Sequence, residues 1–247
     1  MNTGIEATLW GLVSGLALVI GALGGYYIRF SERVIAGIMA FGSGVLISML
    51  CFDLMDEAFR TAGIKASTIG FLLGALIYTG ANELLATQGA RHRKRADGDL
   101  HEDNNGLAIA MGALLDGIPE SIVIGLSLIS GTGVSLVAVI GIFISNLPEG
   151  LSSTTGMKQS GKSKSYIFGL WSGIALVSAL SAYLGYAVFG NFSEDVTAAS
   201  TALAAGAVLT MIIDTMIPEA FQKTHKAAGL IAVAGFLVAF FLSKSIG

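Results

Sequence analysis

The chain of 247 residues is 53% hydrophobic and only 13% charged, whereas soluble domains carry roughly 25% charged residues. This composition excludes an ordinary water-soluble protein and predicts an integral membrane protein. The net charge of −3 gives no support to nucleic-acid binding, and the single cysteine, Cys51, excludes an internal disulfide and a thiolate metal cluster.

Eight segments of the sequence are long and apolar enough to span a membrane, since a spanning helix needs about 20 mostly apolar residues. We therefore predict an all-α integral membrane fold in which residues 1–247 form a single transmembrane domain. The 33 glycines favour helices that pack backbone to backbone. In chain order, the predicted spans are approximately 7–28, 34–56, 67–86, 107–130, 133–156, 166–190, 197–221 and 227–243.

The basic residues predict the direction in which the chain crosses the membrane. Of the 14 Lys and Arg residues, 11 fall in connections on one side, and only Arg60, Lys65 and Lys244 fall on the other. By the positive-inside rule, the first side is cytoplasmic and both termini face outward. Residues 87–106 then form a cytoplasmic loop between spans 3 and 4, and we expect a multi-pass protein of the cell (inner or plasma) membrane.

Spans 1–3 resemble spans 6–8. The tripeptide "EAF" at 57–59 recurs at 219–221, and "GFL" at 70–72 recurs at 235–237. Five spans separate the starts of the two copies, so the second copy crosses the membrane in the opposite direction, which gives a 3+2+3 inverted-repeat plan. Inverted repeats are typical of secondary transporters, whose binding site lies near the membrane midplane where the repeats meet.

Spans 4 and 5 each carry acidic residues in the middle of an apolar run. Span 4 contains "LLDGIPESIVIG" and span 5 contains "FISNLPEGLSS", with their Pro-Glu pairs 29 residues apart. At a rise of about 1.5 Å per residue, the acids of span 4 lie roughly 13–20 Å into a hydrocarbon core about 30 Å thick. We predict that the two spans form one site from Asp116, Glu120, Ser145, Asn146 and Glu149.

The prolines beside these glutamates add oxygen atoms to the predicted site. Proline has no N–H group, so Pro119 and Pro148 each free the carbonyl oxygen four residues earlier, and Pro218 precedes Glu219 in the same way. No Lys, Arg or His lies in the interior of a predicted span. The carboxyl groups are then either protonated elements of helix packing or ligands of a divalent cation. Because ionisable residues within a membrane usually mark an ion path, cation binding is favoured.

Further acidic residues predict a pathway to and from this site. Asp53 and Glu57 lie at the outer end of span 2, and Asp214 and Glu219 lie toward the inner end of span 7. The outer group would collect cations and the inner group would release them. Asp53 and Asp214 are predicted to lie deeper in the membrane than ordinary helix-end charges.

Four sequence motifs resemble those of the Zrt/Irt-like (ZIP) family of metal-ion transporters. "DGIPES" at 116–121 and "SNLPEG" at 145–150 are similar to the family's His-Asn-x-Pro-Glu-Gly element and its variants. "FDLMDEAF" at 52–59 and "DTMIPEAF" at 214–221 are similar to its motifs in spans 2 and 7. The eight predicted spans, the long inner loop and the 3+2+3 plan extend the resemblance over nearly the whole chain.

The resemblance implies roles for the motif residues. Glu120 and Glu149 would be central metal ligands, and Asn146 would keep a ligand position. Asp116 and Ser145 stand where the family has histidines, and Gly117 loses a ligand. Imidazole suits zinc, whereas oxygen ligands suit manganese, magnesium or ferrous iron, so these replacements imply altered metal selectivity. The family resemblance also implies a homodimer in which one helix bundle rocks against the other.

We therefore expect a transporter that moves a divalent metal cation such as zinc, iron or manganese into the cytoplasm, and not an enzyme. Its expected partners are membrane lipid and the cation substrate, with no organic cofactor and no nucleic acid. One alternative is a metal-binding sensor or a degenerate homologue that binds without transporting. A less favoured alternative is an intramembrane aspartyl hydrolase that uses Asp116 and Asp214 as paired acid and base.

Overall fold

The computed structural model of this chain describes residues 2–85, 105–129 and 133–246. These residues contain helices and connections but no β-strand. Residues 87–104 of the predicted cytoplasmic loop lie outside the described residues. The α-helices are α1 (Thr3–Tyr27), α2 (Glu32–Met49), α3 (Met55–Leu85), α4 (Asn105–Ser127), α5 (Leu136–Gln159), α6 (Lys164–Phe189), α7 (Glu194–Met211), α8 (Ile217–Thr224) and α9 (Ala227–Ile246).

Polar caps set where several of the apolar helices begin. In each case the side-chain oxygen of the cap accepts a hydrogen bond from a backbone N–H group in the first turn, which would otherwise have no partner inside the helix. The caps of this kind include Asn2 before α1, Ser31 before α2, Ser135 before α5 and Ser163 before α6. Short polar connections therefore separate the long apolar helices.

Seven helical stretches of the described residues are long and apolar enough to cross a membrane. The chain is thus an all-helical, multi-pass membrane protein, as the sequence predicts. One stretch runs from Glu32 to Leu85, and its 54 residues would extend about 81 Å if straight, against a core of about 30 Å. Gly63 interrupts it with φ 71° and ψ 177°, which is not a helical conformation. The count of eight spans stays a prediction.

The connection between predicted spans 2 and 3 is helical except at Gly63. Residues 57–62 continue α3, and α3 resumes after the glycine. The sequence here, "EAFRTAGIKAS", is rich in Ala, Glu, Arg and Lys, which favour helix even when they lie outside an apolar run. Hydrophobicity alone therefore underestimates the length of the helix.

Two helices contain π-helical turns at matching positions. Segment π1 (Leu50–Leu54) joins α2 to α3, and segment π2 (Ile212–Met216) joins α7 to α8. Ile212 follows Leu50 by 162 residues, which is also the spacing of the "EAF" pair. His225, with φ 47°, follows Gly63 by the same spacing. The inverted-repeat plan stays a prediction, and these paired irregularities are consistent with it.

The helices pack in two groups. The first helix group consists of α1, α4, α5 and α6, in which the most extensive contacts join α1 to α5 and α6, and α4 to α6. The second helix group consists of α2, α3, α7, α8 and α9, in which the most extensive contacts join α3 to α7 and α2 to α9. Contacts between the groups are made chiefly by α2 with α5 and by α4 with α7. The larger cluster of buried apolar side chains spans both groups.

Glycines allow helices of the second group to touch backbone to backbone. A Cβ atom added to Gly44 of α2 would lie 1.8 Å from the carbonyl oxygen of Ala232 in α9. A Cβ atom added to Gly206 of α7 would lie 2.0 Å from the carbonyl oxygen of Phe71 in α3. No side chain larger than a hydrogen atom fits at either position without separating the helices.

Candidate functional site

The five site residues predicted from spans 4 and 5 line one cavity. Asp116 and Glu120 come from α4, and Ser145, Asn146 and Glu149 come from α5. Residues four apart share a helix face, so Asp116 with Glu120, and Ser145 with Glu149, point the same way. Asp116 and Glu120 are each only 2% exposed. The cavity lies between the two helix groups.

Three methionines complete the cavity wall. Met39 comes from α2, Met211 from the end of α7 and Met216 from π2. The accessible volume is about 10 Å³, close to what a single water molecule requires. No sequence signal marks these residues, because a methionine in an apolar helix looks the same whether it packs in the core or faces a polar cavity.

The carboxylate of Asp116 accepts a hydrogen bond from a tyrosine that is not among the predicted site residues. The hydroxyl group of Tyr78 in α3 donates a hydrogen bond to Oδ1 of Asp116 over 2.5 Å. Tyr78 is 2% exposed, and a buried tyrosine hydroxyl normally has a polar partner. This bond joins the second helix group to the first. The sequence could predict this hydrogen bond only if the position of α3 beside α4 were already known.

Hydrogen bonds also fix the polar residues of α5. The hydroxyl group of Ser145 donates to Oε1 of Glu120 at 3.3 Å and lies 2.9 Å from the carbonyl oxygen of Ile142. The Nδ2 atom of Asn146 donates to the carbonyl oxygen of Ser14 in α1 at 3.1 Å. The side-chain nitrogen of Asn146 thus connects α5 to α1. The side-chain oxygen of Asn146, Oδ1, is the atom that could bind a cation.

All three prolines lie within continuous helical segments. Helices α4 and α5 continue through Pro119 and Pro148, so each helix lacks one backbone hydrogen bond beside its glutamate, as predicted. Pro218 also lies within a continuous helix, because α7, π2 and α8 together run from Glu194 to Thr224. Its missing N–H group removes one backbone hydrogen bond beside Glu219, so the prediction that all three prolines precede a glutamate inside a helix is confirmed.

The cavity combines carboxyl groups with neutral side chains. Its lining, drawn from the described residues, includes Asp116, Glu120 and Glu149 but no Lys, Arg or His. Among the described residues, no group of three or more His, Cys, Asp or Glu side chains could hold a metal ion. The three carboxylates therefore share a cavity without forming a cluster. A cation here would also need hydroxyl, amide, thioether or water ligands.

The four predicted pathway residues do not line this cavity. Asp53 lies in π1, half-buried, and its Oδ1 atom accepts a hydrogen bond of 2.7 Å from the hydroxyl group of Ser243 in α9. Glu57 is exposed on α3, and Glu219 is half-buried on α8. Asp214 of π2 is exposed. The structure thus places them apart from the central site, on the second helix group.

Asp53 and Asp214 differ in exposure for a geometric reason, and the predicted depth of Asp214 in the membrane stays a prediction. At the repeat spacing of 162, Asp214 corresponds to Phe52, and Asp53 corresponds to Thr215. The two aspartates are therefore one residue out of phase, and in a helix one residue turns the side chain by about 100°. Asp53 is directed toward α9, whereas Asp214 is exposed. Asp116 lines the central cavity and Asp214 does not, so the paired acid and base of a hydrolase are not assembled there.

The class that the fold and the cavity define is a multi-pass helical membrane protein with a buried acidic cavity between two helix groups. No protein-family model matches this chain, and no curated protein matches it. The resemblance to Zrt/Irt-like transporters therefore rests on the sequence motifs and stays a prediction.

Proposed function

We propose that this protein transports a divalent metal cation into the cytoplasm and is a member of the Zrt/Irt-like family. The observation that carries the proposal is the pair of fully buried carboxylates, Asp116 and Glu120, in one cavity with Ser145, Asn146 and Glu149. Buried carboxylates among membrane helices are costly and commonly belong to ion pathways. A cation-binding site gives these five residues one common role.

The arrangement of the helices supports an inverted repeat with eight spans. The repeat pairs α1 with α6, α2 with α7, α3 with α9 and α4 with α5. Under this pairing, the contact between α1 and α5 corresponds to the contact between α6 and α4. In the same way, the contact between α2 and α9 corresponds to the contact between α7 and α3. In this plan Gly63 separates the second span from the third. The bias of basic residues supports termini that face outward.

In the proposed mechanism, Glu120 and Glu149 supply charge, while Ser145 and Asn146 supply neutral oxygens. The cavity has room for one small ion. Since it lies between the two helix groups, a shift of one group against the other would open it first to one side of the membrane and then to the other. In this proposal Asp53 and Glu57 belong to the outer path, and Asp214 and Glu219 belong to the inner path. A homodimer is part of the same proposal.

The test is metal flux into liposomes that contain the purified protein. Zn²⁺, Fe²⁺ and Mn²⁺ would be measured for the wild type and for Glu120→Gln and Glu149→Gln, which keep side-chain shape and remove charge. We expect each variant to lose at least tenfold in flux. The matched control is Glu194→Gln, because Glu194 is exposed in the first turn of α7, at the opposite end of that helix from the cavity residue Met211. Full flux in Glu120→Gln would refute the proposal.

The second candidate function is a sensor or degenerate homologue that binds metal without transporting it. The small cavity volume, and Asp116 and Ser145 at the positions where the family has histidines, favour it. It predicts calorimetric binding of metal that depends on Glu120, together with no flux in the same preparation. Flux that depends on Glu120 would exclude this candidate.

A further inference from the structure

Helices α1 and α5 of the first helix group run in parallel and finish at the same end of the molecule. A Cβ atom added to Gly21 would lie 2.3 Å from the carbonyl oxygen of Leu147, and one added to Gly25 would lie 2.3 Å from that of Leu151. The contact points advance by four residues, about one turn, on both helices, so the helices share a direction. Since only a short turn joins α5 to α6, α6 begins at this end as well.

An aromatic layer, formed by Tyr26, Tyr27 and Phe168, covers this end of the first helix group. The ring centroids of Tyr26 and Tyr27 are 5.1 Å apart, and those of Tyr26 and Phe168 are 5.6 Å apart. Tyr27 is 61% exposed, so the layer faces the surroundings of the protein. Tyrosine rings at the ends of membrane helices commonly lie at the level of the lipid headgroups.

Two exposed lysines place their ammonium groups over this layer. The Nζ atom of Lys158 lies 4.7 Å from the ring centroid of Tyr26 and donates a hydrogen bond of 2.6 Å to the Tyr26 carbonyl oxygen. The Nζ atom of Lys164 lies 5.2 Å from the ring centroid of Tyr27 and 6.0 Å from that of Phe168. Aromatic rings attract cations, so they hold the ammonium groups in place. An ammonium group has three N–H donors, and the bond to Tyr26 leaves Lys158 able to bind a further acceptor.

Acidic residues are absent from the parts of the sequence that form this end. There is no Asp or Glu from residue 7 to 31 or from residue 150 to 193, ranges that include the ends of α1 and α5 and all of α6. Glu32, the next acid after α1, pairs with Lys223 of α8 at 2.9 Å. Lysines and tyrosines are common at membrane interfaces, but here the positive charge has no acid on the same helix ends to offset it. The surface is therefore complementary to an anion.

An exposed apolar stripe on α1 leads away from the aromatic layer. Leu16, Ile20 and Leu23 precede Tyr27 at spacings of three or four residues, so all four share one helix face. Each of the three is between 40% and 49% exposed. An acyl chain would cover this stripe, whereas inorganic phosphate would not. The stripe therefore favours a lipid over a free phosphate ion.

We propose that Lys158 and Lys164 bind the phosphate group of an anionic phospholipid, such as phosphatidylglycerol, whose acyl chain lies along the apolar stripe of α1. Phosphatidylcholine has the same phosphate, but its own ammonium group would meet the two lysines, and like charges repel. The site therefore selects lipids with a net negative charge. In the proposed orientation it faces the cytoplasmic leaflet, where anionic lipids attract basic residues. The inference goes beyond the proposed function, because no metal takes part in it.

The test is native mass spectrometry of the detergent-purified protein during titration with dioleoyl phosphatidylglycerol or dioleoyl phosphatidylcholine. The double variant Lys158→Gln, Lys164→Gln removes both charges, and glutamine can still donate to the Tyr26 carbonyl oxygen. The matched control is the double variant Lys65→Gln, Lys226→Gln. It removes the same charge from two exposed lysines, one in α3 and one between α8 and α9 of the second helix group.

We expect the wild type to bind phosphatidylglycerol about tenfold or more tightly than phosphatidylcholine, since each lysine beside an anionic lipid contributes about fivefold. The Lys158, Lys164 variant should lose this preference, and the control should keep it. If the double variant does not fold, Lys164→Gln alone should lower the preference about fivefold. Excess inorganic phosphate should leave phosphatidylglycerol bound.

Three results would overturn the lipid site. The first is equal binding of the two lipids by the wild type. The second is an equal loss of preference in the control, which would show that net charge alone attracts the lipid. The third is complete displacement of phosphatidylglycerol by inorganic phosphate, which would identify free phosphate as the ligand. Each result is independent of metal flux, so the proposed function stands or fails separately.

Discussion

Replacing Gly44 with alanine tests the closest helix contact in the second group. The added Cβ atom would lie 1.8 Å from the carbonyl oxygen of Ala232 and 2.9 Å from the backbone nitrogen of Phe236. Ordinary van der Waals contact begins at 3.4 Å. Helices α2 and α9 must therefore separate, because backbone atoms cannot rotate away from the new methyl group as a side chain can.

The magnitude depends on two opposing effects. Overpacking costs about 1–3 kcal/mol, and the upper end applies because the obstacle is backbone. Alanine recovers up to about 1 kcal/mol through its higher helix propensity. The net loss of about 2 kcal/mol lowers the Tm by about 4–8 °C in a chain of this size. Gly206→Ala, with its Cβ atom 2.0 Å from the Phe71 carbonyl oxygen, should behave alike.

The assay is thermal unfolding of the purified protein in detergent, monitored by tryptophan fluorescence. Gly37→Ala is the matched control, since it lies in the same helix and its Cβ atom would meet only the side chain of Ile231 at 3.9 Å. We expect the Tm of Gly37→Ala to stay level or to rise by about 2–4 °C, because only the propensity gain applies. Equal Tm values for Gly44→Ala and Gly37→Ala would refute the close approach of α2 and α9.

Three other substitutions test single contacts by the same unfolding assay. Tyr78→Phe removes the donor to the Asp116 carboxylate and should cost about 1.5–3 kcal/mol; an unchanged Tm would contradict the bond. Trp171→Phe should cost about 1–3 kcal/mol, because the indole Nε1 donates to the Thr154 hydroxyl over 2.8 Å in a fully buried site; a loss equal to that of an exposed aromatic residue would argue against it. Gly63→Ala should cost about 1–3 kcal/mol from backbone strain alone, since its φ of 71° and ψ of 177° suit only glycine and no atom lies near the added methyl group; a stabilised variant would exclude that conformation.

The sequence predicts those cavity residues whose polarity contrasts with the apolar residues on either side of them. Asp116 and Glu120 interrupt an apolar run at a spacing of four residues, so both their shared face and their burial can be inferred from helix geometry. Met39 produces no such contrast. Tyr78 produces one, but its role depends on α3 lying beside α4, and the order of helices in space cannot be read from one sequence.

The helix irregularities show a second limit. Helix geometry inferred from a sequence assumes 3.6 residues per turn throughout, whereas π1 and π2 each widen one turn and rotate the later part of the helix out of phase. No residue type by itself predicts a π-helical turn. The repeated motif "EAF" can therefore be recognised from the sequence, whereas the exposure of Asp214, which lies inside π2, cannot.

The hydrogen bonds at the cavity differ in which helices they join. Ser145 joins α5 to Glu120 of α4, and Asn146 joins α5 to α1, so both bonds lie within the first helix group. The bond from Tyr78 to Asp116 connects the two groups. If the groups shift during the proposed transport cycle, the first two bonds survive and the third must break. The carboxyl-bearing residues of α4 and α5 would then move together as one unit, and the residues of α2, α7 and π2 that line the cavity would separate from them.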